Sequence, residues 1–325
     1  MDAPIKFIKR PKLKNVHFLA AWPGMGDVAF RAVTYLIEKL PCEEFASLDT
    51  PEFFPPDGVE IENQDIFIPR QTGGRYYFYS NKNKDYDIVI FVHDRQPLAN
   101  LSYKYAKKVL DIANFLKIKR VFTFAGLPAP IDHLKVPDVF AVATKKEALK
   151  SIKPLGLKPM RSGQISGLNG LLLGAAKVLN IEGICLLSEV PFYTIHIENP
   201  LASLAVLRAF SKILNLNIEL EDLFQEANSL EMDVDKIIDY LKSSITSDPI
   251  DEGDVEKIKK MLSSYVNLPH SAKKSIENLF KQVEEDISKA NMLKNELDKW
   301  NVYNEYEDRF LDLFKSRGSK NEEQK

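Results

Sequence analysis

The chain has 325 residues, 45% of them hydrophobic and 28% charged, the ordinary mixture of a protein that buries a sizeable core in one or two domains. Its 44 basic and 46 acidic side chains leave a formal charge of −2, so a broad nucleic-acid surface has no support. No run of about 18 apolar residues occurs and MDAPIKFIKRPKLKN has no apolar signal core, so neither a membrane span nor secretion is expected, and residence in the cytoplasm is.

Apolar runs and helical spacing alternate through the first two-thirds. Residues 16–22 read as a strand that enters the turn Pro23-Gly24-Met25-Gly26-Asp27. A helix follows, with Val28, Ala32, Val33, Leu36, Ile37 and Leu40 on one face, stopped by Pro41. A strand is expected over 43–48, then a loop over 51–58. Segments 65–69 and 75–80 flank Gln71-Thr72-Gly73-Gly74 and read as a hairpin. A strand over 87–92 ends in His93-Asp94, and an amphipathic helix is expected over 102–116. Strands over 120–125, leading to Gly126, and 139–144 precede a short helix from Lys146. The stretch from Gly163 to Tyr193 reads as a Gly/Ser/Asn turn, a small-residue helix, an apolar strand and a strand-end acid, Glu189. A closing helix is expected over 199–214.

This alternation predicts an α/β protein, a three-layer α/β/α domain over 1–230. Its sheet should be mixed because of the hairpin, but mostly parallel. From 231 to 316 the pattern becomes all-helical, and the polar tail 317–325 is expected to be disordered. Ile276, Phe280, Val283, Ile287, Ala290, Leu293, Leu297 and Trp300 recur at three- and four-residue steps, a coiled-coil-like seam. One helix cannot bury such a seam alone, so these positions other than Ala290 are interface candidates, against a helix expected near Val255 to Tyr265, the α/β domain or another subunit.

Ligands of open α/β sheets bind beyond the carboxyl ends of the strands. Gly24, Gly26, Asp94, Gly126 and Glu189 fall at expected strand ends, and Ser166, Asn169 and Gly170 open the small-residue helix; all are ligand-binding candidates. Gly24 and Gly26 could hold an anion at a helix N-terminus or simply make a tight turn. Glu189 either binds a ligand hydroxyl or amine, or caps a turn or helix end. Ser166 has no assignable base, and His93-Asp94 are neighbours along a strand, so no catalytic residue is assigned. Cys42 and Cys185 lie far apart without metal-ligand spacing; no metal and no cofactor is expected.

Several segments carry a resemblance: GMGDVAFRAVTYLI, IVIFVHDRQP, ISGLNGLLLGAA, and EVPFY followed by NPLASLAVL. Over residues 15–225 they resemble the proteasome assembly chaperone 2 family. LPHSAKKSIENLF and LDKWNVYNEYEDRFLDLFK are similar to the helical extension of its longer prokaryotic members. The resemblance implies a fold similar to that of purine nucleoside phosphorylases, a homo-oligomer with a trimer among the options, and proteasome subunits or another protein as partner. Archaeal relatives can end in a hydrophobic–Tyr–any motif. This chain ends Glu323-Gln324-Lys325, so docking through such a C-terminus is not expected. The function expected is a non-catalytic scaffold or assembly chaperone. The alternative is a nucleoside- or amine-like small-molecule site, enzymatic or not, in a cleft around Glu189.

Overall fold

The structure, a computed structural model, describes residues 5–56, 58–62, 64–68, 73–245, 270–299 and 302–318. In chain order the strands are β1 (Lys6–Phe7), β2 (His17–Ala21), β3 (Glu43–Leu48), β4 (Glu60–Glu62), β5 (Asp65–Phe67), β6 (Gly74–Tyr79), β7 (Ile88–Val92), β8 (Arg120–Ala129), β9 (Val139–Ala143), β10 (Lys158–Pro159) and β11 (Glu182–Pro191). Nine of them form one mixed sheet in the order β1-β3-β6-β7-β2-β8-β11-β9-β10. The four central strands β7, β2, β8 and β11 pair in parallel. On one flank β1, β3, β6 and β7 pair antiparallel, and on the other β9 runs antiparallel to β11. The expectation of a mostly parallel sheet therefore holds for the centre only. Both edges are two-residue strands, which limits the unpaired backbone left at the rim.

The parallel centre is apolar on both faces because helices cover both. Along β2, Leu19 and Ala21 join one core and Phe18 and Ala20 the other; along β7, Ile88 and Ile90 alternate with Val89 and Phe91 in the same way. The first face is covered by α1 (Val28–Lys39), α4 (Lys146–Ile152) and α6 (Pro200–Leu214). The second is covered by α2 (Ser102–Leu110) and α5 (Leu168–Val178). The single helix expected over 102–116 is divided into α2 and α3 (Ala113–Leu116). The division falls where Asp111 N–H turns to the Lys108 carbonyl, a one-residue-tighter bond.

The hairpin expected around Gln71-Thr72-Gly73-Gly74 is not formed. β5 pairs instead with β4, and β6 pairs with β3 and β7. Burial decides this. Tyr76 on β6 is fully buried and packs on Phe91 and Phe45, whereas Ile61 and Ile66 of the small hairpin are exposed.

The chain divides into two compact units, residues 1–234 and 235–325, with α7 (Glu221–Ile245) running across the division. In the second unit, helices Phe280 and its neighbours belong to are His270–Glu285, Ala290–Lys299 and Tyr303–Gly318. The seam is not one continuous helix. Asp286 leaves helical geometry (φ −138°), and its side chain accepts the Ser288 N–H, starting a new turn. Ile276, Phe280, Val283, Leu293 and Leu297 are buried with Val302 and Phe310 in a core of this unit, and Ile287 is half-buried against it. The same side chains were interface candidates, but the chain's own helices cover them. Trp300, the helix expected near Val255 to Tyr265 and the tail beyond 318 lie outside the described residues. No described helix is long and apolar enough to cross a membrane.

Candidate functional site

The carboxyl ends of β2, β7, β8 and β11 meet where the sequence places its ligand candidates. After β2 the chain enters a one-turn 3-10 helix, Met25–Asp27. Gly26 (φ 59°) and Asp27 (φ 49°) both take left-handed backbone, and only the first has no Cβ to strain. Gly26 N–H donates to the Ile195 carbonyl at 2.7 Å, and the Gly26 carbonyl accepts from Asn199 N–H at 2.7 Å. Asp27 N–H donates to the Gly24 carbonyl at 2.9 Å. The N–H groups of Gly26 and Asp27, which an anion would need, are thus donated within the chain. Gly126 on β8 lets this turn settle, since a Cβ there would lie 2.4 Å from the Met25 carbonyl oxygen.

Asn169, the second residue of α5, is buried against the same turn. Its Oδ1 accepts Trp22 N–H and its Nδ2 donates to the Trp22 carbonyl, both at 3.2 Å. The side chain thereby replaces the neighbour that β2 loses where it leaves the sheet. Gln96 adds a parallel link: Nε2 donates to the Pro23 carbonyl at 2.7 Å and Oε1 accepts Leu168 N–H at 3.2 Å. Gly170 faces the Ile165 carbonyl, which would stand 2.3 Å from an added Cβ. Ser166 is exposed in the loop ahead of α5.

Glu189 lies on the other side of β11 from Val190, which packs on Gly26 and Gly126. Its Oε2 accepts Asp138 N–H at 3.1 Å and lies 3.2 Å from Lys135 Nζ. The acid therefore caps the loop ahead of β9, one of the two roles open to it from the sequence. Asp94 is exposed. His93 is buried, stacked on Phe54 at 4.1 Å, and its Nδ1 accepts Arg95 N–H at 3.0 Å. Asp94 Oδ1 lies 3.3 Å from the same Nδ1. Gly24, Gly26, Gly126 and Asn169 come together in one cluster, then, while Glu189 and Asp94 turn elsewhere.

Two groups escaped the sequence reading. Arg31 is buried on α1, with Nε 2.9 Å from Glu198 Oε1 and its guanidinium also paired to Glu226. Burial, then the Glu198 charge, pushes the Asp27 carboxyl up to about 7. Position 31 falls three residues after Val28 on the apolar face of α1, and a base on such a face requires a buried acid; that signal was present. Gln96 carries none. Burial also pushes the Cys42 and Cys185 thiols up to about 12, so neither supplies a thiolate nucleophile at neutral pH. Among the described residues no group of His, Cys, Asp and Glu is placed to hold a metal ion.

Beside this stitched centre the rim carries large apolar side chains interspersed with the charged Asp132 and Lys135. Leu134 (55% exposed) and Val136 (72%) on the loop after β8 stand beside Phe192 (57%) and Tyr193 (52%) after β11. The two loops are joined where Tyr193 Oη accepts His133 N–H at 2.8 Å. The strand-end turn is thus held by bonds within the chain, and large apolar side chains are exposed near it.

Fold and strand-end geometry together describe a mixed-sheet α/β protein followed by helices. The chain belongs to the PAC2 family, whose sequence profile matches residues 18–238. It is 28% identical over 248 residues to the uncharacterized protein MJ1210 of Methanocaldococcus jannaschii, covering 74% of this chain and 91% of that one. Among solved structures it is similar to Pyrococcus furiosus PbaB, described as an archaeal proteasome activator. The identity there is 27% and the TM-score 0.62, over 72% of this chain and 98% of that one. It is likewise similar to Pyrococcus furiosus PbaA, described as an archaeal homolog of proteasome-assembly chaperone, at 25% identity and TM-score 0.56, over 70% and 94% of the two chains.

Proposed function

We propose that this chain is a non-catalytic, oligomeric scaffold of the proteasome-assembly type, which offers its strand-end rim to another protein. The observation that carries the reading is the consumption of the crevice by internal hydrogen bonds beneath exposed Leu134, Val136, Phe192 and Tyr193. The likeness to PbaA and PbaB suggests the proteasome core as partner, and a cytoplasmic site of action accords with that. The expected similarity to purine nucleoside phosphorylases belongs to this proposal as a statement about fold alone, because fold does not fix activity. A nucleoside- or amine-like ligand at Glu189 would share its carboxylate with Lys135 and the Asp138 N–H, both of which Oε2 already holds.

Light scattering after size exclusion of the full chain mixed with proteasome core from its host tests the reading. Co-elution is expected, and Leu134→Asp with Phe192→Asp should weaken it at least about tenfold without lowering the melting temperature, since both side chains are exposed. Separate elution at micromolar concentrations overturns it.

A further inference from the structure

The sheet is left open at one point of its edge. β9 pairs with β11 on one side and with the two-residue β10 on the other. Thr144 N–H donates to the Gly183 carbonyl at 2.9 Å, and in an antiparallel ladder that direction alternates residue by residue. Ala141 and Ala143 therefore direct their N–H and C=O groups away from β11. Ala141 is served from β10, where Met160 N–H donates to its carbonyl at 3.1 Å. Ala143 lies beyond the end of β10, and among the described residues nothing bonds its N–H or its carbonyl. A half-buried donor and acceptor left open in this way are a template for another extended chain. β10 offers no such template at Pro159, whose nitrogen faces outward without a hydrogen.

Ala143 lines a cavity of about 380 Å³. Val142, Met160, Ile165 and Leu173 give it an apolar wall, drawn from β9, the segment after β10, and α5. Arg161 and Lys177 also line it, both exposed. Among the described residues neither is paired with an acid, and no acid lines the cavity. Gly174 stands at the same wall, and a Cβ there would meet nothing within 4 Å.

These features select one class of ligand. Two cations without a countercharge favour an anion, and a guanidinium fork suits a carboxylate. The Ala143 N–H and C=O call for a group that both accepts and donates, as a peptide unit does and an ionised fatty acid does not. The volume is near the lower end of the range for ligand pockets, about 300–1,000 Å³, and suits a chain end rather than a long strand. We infer that this cavity binds the C-terminal residue of a peptide whose last side chain is apolar. The terminal carboxylate pairs with Arg161 and Lys177, the main chain bonds to Ala143, and the side chain lies against Ile165 and Leu173. Ala143 pairs with Ile184 near the start of β11, whereas the rim at Phe192 and Tyr193 follows its end. The two sites are thus separate, and failure of either reading leaves the other standing.

Fluorescence anisotropy tests this, with the full chain titrated into a fluorescein-labelled tetrapeptide, Gly-Ser-Ala-Leu, that has a free carboxylate. Saturable binding is expected, weaker in high salt. The same peptide ending in a carboxamide should bind at least about tenfold more weakly. Arg161→Gln with Lys177→Gln should weaken binding as much without lowering the melting temperature, since both side chains are exposed. Gly174→Leu fills the open space and favours the helix, so it should abolish binding in a chain that melts no lower than the parent. Unlabelled tetrapeptide should displace the probe, and octanoate, an apolar carboxylate without a peptide unit, should not. Absence of saturation at millimolar chain, equal binding of the carboxamide, undiminished binding by folded Gly174→Leu, or displacement by octanoate as effective as by the peptide would each overturn the inference.

Discussion

At the scale of single residues, two buried groups titrate against each other. His17, edge-on to Tyr86 and Phe122, is held down to about 4, first by burial and then by the Arg120 charge. Between about pH 4 and 6.5 the unfolded chain takes up a proton there that the folded chain refuses, so this group's stability is lost as pH falls. Asp27 has the opposite sign. Its carboxyl, with buried Oδ1 lacking a hydrogen-bond partner, is raised to about 7, and the folded chain keeps a proton that the unfolded chain releases above about 4. Its contribution is present at acid pH and lost as pH rises to about 7. The two slopes oppose each other over the lower part of the range. Asp27→Asn should therefore unmask stability that rises from about pH 4 to 6.5, and His17→Phe should unmask stability that falls from about pH 4 to 7. Urea denaturation of both variants across that range checks the signs; parallel curves for variant and parent would show that neither group is perturbed as described.

At the scale of elements, α5 contains two glycines with opposite meanings. A Cβ on Gly170 would strike the Ile165 carbonyl, whereas one on Gly174 meets nothing within 4 Å. Gly174→Ala should stabilise by about 0.5–1 kcal/mol through helix propensity alone. Gly170→Ala should destabilise by about 1–3 kcal/mol through overpacking. Equal urea midpoints for the two would contradict the packing. The sequence could not separate them, because both stand in one run of small residues. What it did reveal follows the same logic. Strands with strong apolar patterning, such as β2 and β7, fall within a residue or so of their expected bounds, since burial on both faces leaves a local signature. β1 and β10 have two residues each, too few for any pattern. Gln71-Thr72-Gly73-Gly74 carries a hairpin signal, but the pairing of β6 is decided by β3 and β7, which are distant in sequence. The seam spacing runs unchanged through Asp286, because apolar period does not record where a polar side chain caps a new turn. At the strand end, Gly24, Gly126 and Asn169 were legible as a cluster through topology, while Gln96 was not, its role depending on which loop lies opposite.

At the scale of the whole molecule, each unit closes a core of its own. Among the described residues the sheet's two cores draw on residues up to Leu223, and the core around Phe280 draws on residues from Ile276 onward. Among the described residues the second holds eight buried side chains, two of which, Phe280 and Phe310, are large aromatics. Small cores are marginal, because the fraction of surface buried falls with size. The units should therefore unfold separately. Calorimetry of the full chain should give two transitions, the weaker and cooler one from the C-terminal helices. A chain ending at Ile245 keeps all of α7, and with it the pairing of Arg31 with Glu226 and the acceptance of Tyr35 Oη–H by the Glu219 carbonyl. It should retain only the hotter transition, at an unchanged temperature. Ending the chain before Glu221 instead removes Glu226 and leaves Arg31, 1% exposed, with Glu198 as its remaining acid. Stripping a partner from a buried charge costs about 3–5 kcal/mol where burial is complete. Glu226 is 39% exposed, so a smaller loss is expected, but one still large enough to lower the hotter transition. A single transition for the full chain that shifts when the helices are removed would mean that the two cores unfold as one cooperative body.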